Sequence, residues 1–190
     1  RKCKAVIWTG QKPAQRFRNG IRTLTVDTGK GNPGAFGIQY IANNQGSIRN
    51  VRIRSGDGQG AIGLDLGYTD EQGPCLIKDV TVEGFDVGVG MRTAVDSITM
   101  HNIRVVGQRK CGVRNEGQCV SIEGLTSVNE VHAVENLGEV SLMTLLGAKL
   151  EGRGKAAGLM AIENTGALFA RSVTVPGYQG VTAQVAGGET

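Results

Sequence analysis

Two glutamates stand in near-identical surroundings. Glu135 lies in Ala133-Val134-Glu135-Asn136-Leu137-Gly138, and Glu163 in Ala161-Ile162-Glu163-Asn164-Thr165-Gly166. A third copy, Gly112-Val113-Arg114-Asn115-Glu116-Gly117, carries Arg114 where the others carry a carboxylate. Stacked as strands one rung apart, Glu135 and Glu163 would lie about 5 Å from each other. That is close to the roughly 5–5.5 Å between the carboxyls of retaining glycosidases. Adjacent carboxylates push one pKa upward, as a proton donor requires, and Arg114 on the next rung could hold the other ionised. Glu135 and Glu163 are therefore the candidate catalytic pair. The same phrases fit a solvated column in which Glu135 pairs with Arg114, while Asn136 and Asn164 shape corners. Both readings stand at this point.

The longest insertion runs from Asp65 to Gly73 and carries Tyr68, Asp70 and Glu71. Loops on a rigid scaffold commonly carry function, and a tyrosine can stack on a sugar ring. Asp65 and Tyr68 are thus candidate substrate-binding residues beside Arg114. The spacing of Asp65, Asp70 and Glu71 matches no calcium-loop signature. His101 and His132 have no serine or cysteine partner at motif spacing, so a nucleophile–base triad is unsupported. Cys3, Cys75, Cys111 and Cys119 form no CxxC and no zinc pattern. A Cys111–Cys119 bridge and buried free thiols both fit them. No metal and no cofactor is indicated.

The elements that must hold these residues appear as a repeat. An alternating phrase with a small polar turn residue reads Ile48-Arg49-Asn50-Val51-Arg52-Ile53, then Ile77-Lys78-Asp79-Val80-Thr81-Val82, then Met100-His101-Asn102-Ile103-Arg104-Val105. Weaker copies place the turn at Thr23, Gly124, Gly147 and Ser172, at intervals between 22 and 29 residues. Period-two alternation means strands. Intervals this short leave no room for a crossover helix between every strand pair. Two or three short strands per coil, separated by glycine and asparagine, describe a parallel β-solenoid of about seven coils, rising roughly 34 Å. An antiparallel sandwich could use similar strands, but the coil-scale period weighs against it.

In this phase the first strand presents Thr25, Arg52, Thr81, Arg104, Thr126, Lys149 and Thr174. The second presents Gln39, Asp65, Gly90, Arg114, Glu135, Glu163 and Thr182. Arg52 and Arg104, about 10 Å apart, could meet carboxylates of a polyuronate; spacing the charges also avoids like-charge stacking. Stacked Asn50, Asp79 and Asn102 could form a polar ladder. The 30 glycines among 190 residues suit the corners, and 4% aromatic content suits a narrow aliphatic interior. The remaining composition excludes more than it assigns. Collagen-like glycine spacing is absent, as is any 18-residue apolar run that could span a membrane. The net charge of +4 is concentrated near the start, at Arg1, Lys2, Lys4, Lys12, Arg16 and Arg18. Basic residues interleaved with aromatics are missing, which argues against nucleic acid as a partner. Residues 1–16 read as a basic segment or cap, in which Trp8 could cover an open end or touch sugar. Residues 17–190 read as the β-helix domain.

The stretches Leu24-Thr25-Val26-Asp27-Thr28-Gly29-Lys30-Gly31-Asn32-Pro33-Gly34, Ala42-Asn43-Asn44-Gln45-Gly46-Ser47-Ile48-Arg49-Asn50-Val51 and Gly73-Pro74-Cys75-Leu76-Ile77-Lys78-Asp79-Val80 resemble the pectate-lyase-like superfamily of right-handed parallel β-helices. The branch related to family 55 β-1,3-glucanases is the most similar. The resemblance covers residues 17–185. It implies an extracellular or periplasmic carbohydrate-active protein, a glycoside hydrolase or a lyase, with polysaccharide as partner. Polygalacturonase motifs such as Asn-Thr-Asp and Gly-His-Gly are absent, as is the pectate lyase Trp-Ile-Asp-His. The glucanase branch sets two β-helices side by side with the catalytic acid in the later one, and this chain is similar to the earlier one. A second β-helix domain in the same protein is therefore implied. A non-catalytic, polysaccharide-binding or structural β-helix is the alternative.

Overall fold

The computed structural model describes residues 4–12, 16–69, 72–92 and 97–183. Fifteen strands alternate between two all-parallel sheets. The odd-numbered strands β1 (Lys4–Trp8), β3 (Ala35–Gln39), β5 (Ile62–Asp65), β7 (Val87–Arg92), β9 (Cys111–Glu116), β11 (His132–Asn136), β13 (Met160–Asn164) and β15 (Gly180–Thr182) form one sheet. The longer even-numbered strands form the other: β2 (Gly20–Asp27), β4 (Gly46–Arg54), β6 (Cys75–Glu83), β8 (Ser97–Val106), β10 (Cys119–Asn129), β12 (Leu142–Gly152) and β14 (Ala167–Thr174). The chain is a parallel β-solenoid of seven turns. The basic first segment contributes β1, whose Trp8 pairs with Gln39 of β3. A short 3-10 helix, Gly154–Gly158, is the one helix among the described residues.

A strand alternates with period two, yet Ile48 and Val51, both buried, are three apart. The same odd spacing separates Ile77 from Val80, Met100 from Ile103 and Ile122 from Leu125, all buried. One left-handed residue between them resets the alternation and bends the strand into a corner. A positive φ angle occurs at each of Thr23, Asn50, Asp79, Asn102, Gly124, Gly147 and Ser172, the seven turn positions of the repeat. Asn102 donates to Asp79 Oδ1 at 2.7 Å, and Asn50 reaches Thr23 Oγ1 at 3.5 Å. The ladder expected there exists in pairs and is not continuous.

Inside, Ile48, Ile77, Met100, Ile122 and Leu145 stack in register as one fully buried column. Burial is worth roughly 1.5–3 kcal/mol for each such side chain. The facing wall carries glycine at the second position of β5, β7 and β9, as Gly63, Gly88 and Gly112. At Gly63 a Cβ would collide with Val82 Cγ1 and stand 2.9 Å from the Gly88 carbonyl oxygen. Here glycine is required by a close approach, not by backbone angle.

A second amide ladder runs inside the corner after the short strands. Asn115 donates to Asn136 Oδ1 at 2.9 Å, and Asn136 donates to Asn164 Oδ1 at 2.7 Å. Asn115 and Asn136 are fully buried. In the earlier coils Met91 occupies the same place, paired with Asn115.

Candidate functional site

The outer face of the short-strand sheet carries the predicted column. Gln39 pairs with Asp65, Asp65 with Gly90, Gly90 with Arg114, Arg114 with Glu135 and Glu135 with Glu163. Trp8, 56% exposed, heads it next to Gln39. Thr182 does not belong. The last strand starts with Gly180 beneath Met160, so Thr182 falls under Ile162, one position off the expected register. From Trp8 to Glu163 the column spans six rungs, about 29 Å.

A groove of about 480 Å³ opens on this face, and Asp65, Tyr68, Gly90, Arg114 and Glu116 line it. Gly90 leaves the floor open between Asp65 and Arg114. Tyr68 is pinned there because its hydroxyl donates to the Gly10 carbonyl at 2.5 Å. Three of the predicted binding residues, Asp65, Tyr68 and Arg114, thus meet in one place. Asp70 and Glu71 lie outside the described residues.

Asp65 is buried, accepting from Gln39 Nε2 and from the Gly67 N–H, both at 3.0 Å. Burial raises its pKa, partly offset by these hydrogen bonds and by Arg92. A carboxyl raised in the folded state makes the fold most stable below the ordinary aspartate range, and that contribution is lost as pH rises through the folded value. Asp65→Asn is therefore expected to gain stability relative to wild type between acidic and neutral pH. Urea unfolding across that range checks it, and a difference independent of pH would contradict the assignment.

The candidate glutamates occupy unlike surroundings. Glu135 is buried and accepts from Arg114 Nε at 2.5 Å. The pairing raises the Arg114 pKa against the lowering effect of its own burial. Glu163 has a half-exposed side chain, 3.7 Å from His132 Nε2. His132 is fixed through Nδ1 on the Met160 carbonyl at 2.8 Å. Glu163 and His132 are thus accessible while Glu135 is held from behind.

Arg52 and Arg104 sit elsewhere, on the outer face of the long-strand sheet. There Thr25, Arg52, Thr81, Arg104, Thr126, Lys149 and Thr174 are in continuous register, as expected. Arg52 is not an open ligand. It clasps Glu83 through Nε and Nη2 at 3.0 and 2.7 Å. Cys75, Cys111 and Cys119 are free thiols, so Cys111 and Cys119 are not bridged; Cys3 lies outside the described residues. Burial pushes the Cys75 thiol up to about 11 and the Cys111 thiol well above its usual value, so neither is a nucleophile near neutral pH. No group of three or more metal-ligating side chains occurs among the described residues, and no helix is long and apolar enough to cross a membrane.

Seven parallel turns with an outward groove are matched by a family comparison. The profile described as "Rhamnogalacturonase A/epimerase, pectate lyase-like" matches residues 6–135, more than half of the chain. The chain belongs to this pectate lyase-like family. Comparison with curated proteins and with solved structures gave no match. The family match extends from β1 through β11, so it contains Asp65, Tyr68, Arg114 and Glu135 and ends before Glu163. For a pectate lyase-like chain the carbohydrate-active class follows from the fold family, while the reaction does not.

Proposed function

We propose that this chain binds a polysaccharide along the outer face of the short-strand sheet and hydrolyses it there as a glycoside hydrolase of β-glucan type. One observation carries the reading. Glu135 and Glu163 are direct register neighbours, one and two rungs beyond Arg114, which lines the groove, in environments that differ as a hydrolytic pair requires. The contact with Arg114 holds the Glu135 carboxyl in place to face the developing positive charge on the sugar. Glu163, reachable from solvent and beside His132, suits proton delivery to the leaving oxygen. Trp8 and Tyr68 offer flat faces for sugar rings along the same line. The protein would act outside the cell or in the periplasm, with a second β-helix of the same protein alongside.

Release of reducing ends from a panel of β-glucans and uronates tests this. Glu163→Gln and Glu135→Gln are each expected to lower kcat by about 100-fold or more, the scale of lost acid–base catalysis. Unchanged rates in both variants would reject hydrolysis at this pair and leave a non-catalytic glycan-binding β-helix as the reading. Arg52→Ala and Arg104→Ala ask separately whether polyuronate is held on the other sheet. The clasp on Glu83 favours a structural task for Arg52.

A further inference from the structure

The first half of the long-strand sheet carries a different outward column. Arg22 pairs with Arg49, Arg49 with Lys78, and Lys78 with His101, on four consecutive rungs. Three full cations therefore stack at about 4.8 Å intervals with no neutral residue between them. Like charges directly opposite one another in a sheet are destabilising. The neighbouring cationic column avoids that cost. The column of Arg52, Arg104 and Lys149 is interrupted by threonines, Arg52 is bound by Glu83, and Arg54 by Asp27 at 2.8 Å. Arg22, Arg49 and Lys78 form no ion pair among the described residues; Arg22 and Arg49 are exposed and Lys78 half-buried.

Arg49 and Lys78 of the ladder lie in a trough. A cavity of about 910 Å³ includes Arg18 and Arg49, and another of about 370 Å³ includes Lys78 and His101. The two share Leu76 and Thr99 and so run on from one another. Beside the cations runs a column of mostly hydroxyl residues, Ser47, Leu76, Thr99, Ser121 and Thr144, in continuous register. Cations on one side and hydroxyl groups on the other match a chain whose every unit bears an anionic group and several hydroxyls. No aromatic lines this part of the trough except Phe17 at its start, so the stacking platform used by single-stranded nucleic acids is missing.

We infer that the Arg22–Arg49–Lys78 ladder holds an extended glycan carrying one carboxylate or sulfate per sugar, laid along the solenoid axis on the opposite sheet from the Glu135–Glu163 pair. This surface is independent of the hydrolytic reading and stands or falls without it.

The test is binding of alginate, dextran sulfate, neutral dextran and oligo(dT) to the full chain at low salt. Wild type is compared with the Arg49→Ala/Lys78→Ala double variant. The Lys30→Ala/Lys155→Ala double variant removes the same charge from exposed positions outside both columns. Wild type is expected to bind alginate or dextran sulfate and not dextran, and the two anionic probes separate carboxylate from sulfate as the preferred group. The ladder variant should lose about tenfold or more in affinity and show a salt slope smaller by about two, one for each contact removed. The charge-matched variant should lose less than about threefold. Circular dichroism confirms that each variant keeps the wild-type fold. Equal losses in the two double variants would overturn the inference in favour of net charge alone. Absence of binding to both anionic glycans, or tighter binding to oligo(dT) than to either, would overturn it as well. Glu163→Gln is expected to leave binding at the ladder unchanged.

Discussion

Gly63→Ala is expected to destabilise the fold by at least about 3 kcal/mol in urea unfolding, the upper range for overpacking a core. Gly63 is the second residue of β5, where the short-strand wall closely approaches the long-strand wall. The added methyl would meet Val82 Cγ1 on one side and stand 2.9 Å from the Gly88 carbonyl on the other. Neither can retreat easily. Val82 is fully buried in the core, and the Gly88 carbonyl belongs to the next rung. Gly58→Ala is the internal comparison. Gly58 sits at φ +75° with nothing within 4 Å of the added carbon, so its cost is backbone strain alone, about 1–2 kcal/mol. Equal costs at the two positions would show that the walls are further apart than described.

Asn136→Ala should cost about 3–4 kcal/mol by the same measurement. Asn136 is fully buried at the centre of the amide ladder. It accepts from Asn115 and donates to Asn164 Oδ1 and to the Ala167 carbonyl at 3.1 Å. Alanine removes all of these at once and leaves buried polar atoms without partners, each costing roughly 1–3 kcal/mol. Asn164→Ala, at the half-buried lower end of the ladder, should cost less than half as much, because water can replace the lost partner. A loss at Asn136 no greater than at Asn164 would mean that the ladder is hydrated throughout.

Much of this architecture was legible in the residues themselves. The left-handed corners need Asn, Asp or Gly at one point in each coil, and that requirement exposes the period even where the copy is degraded, as at Thr23 and Ser172. Once the corner is located, alternation gives the outward columns, and those through Arg52 and Arg104 and through Asp65 and Glu135 follow. The register failed at Thr182 because the turn closed by Tyr178 N–H on the Val175 carbonyl sets the path into β15. Two features were present but unread. The residue before each of the first four corners is Arg22, Arg49, Lys78 or His101, so the cationic ladder is written in the same phrases as the corner. Asn115 stands beside Arg114 just as Asn136 stands beside Glu135, yet alternation does not say that their amides turn inward and join. The groove itself depends on Tyr68 crossing to Gly10, a contact 58 residues distant in sequence that no local pattern encodes.

The amide ladder also divides the solenoid into two kinds of module. The coil ending in Met91 meets the one before it, which ends in Leu66, through aliphatic and thioether packing with no side-chain hydrogen bond. Coils ending in Asn115, Asn136 and Asn164 meet theirs through a directional chain of donors and acceptors. Duplicating or exchanging coils within the apolar section preserves compatible surfaces. Moving one across the boundary sets an amide against a thioether. Growth by coil duplication is thus permitted on one side of Met91 and constrained on the other, and the order of coils carrying Arg114, Glu135 and Glu163 is locked.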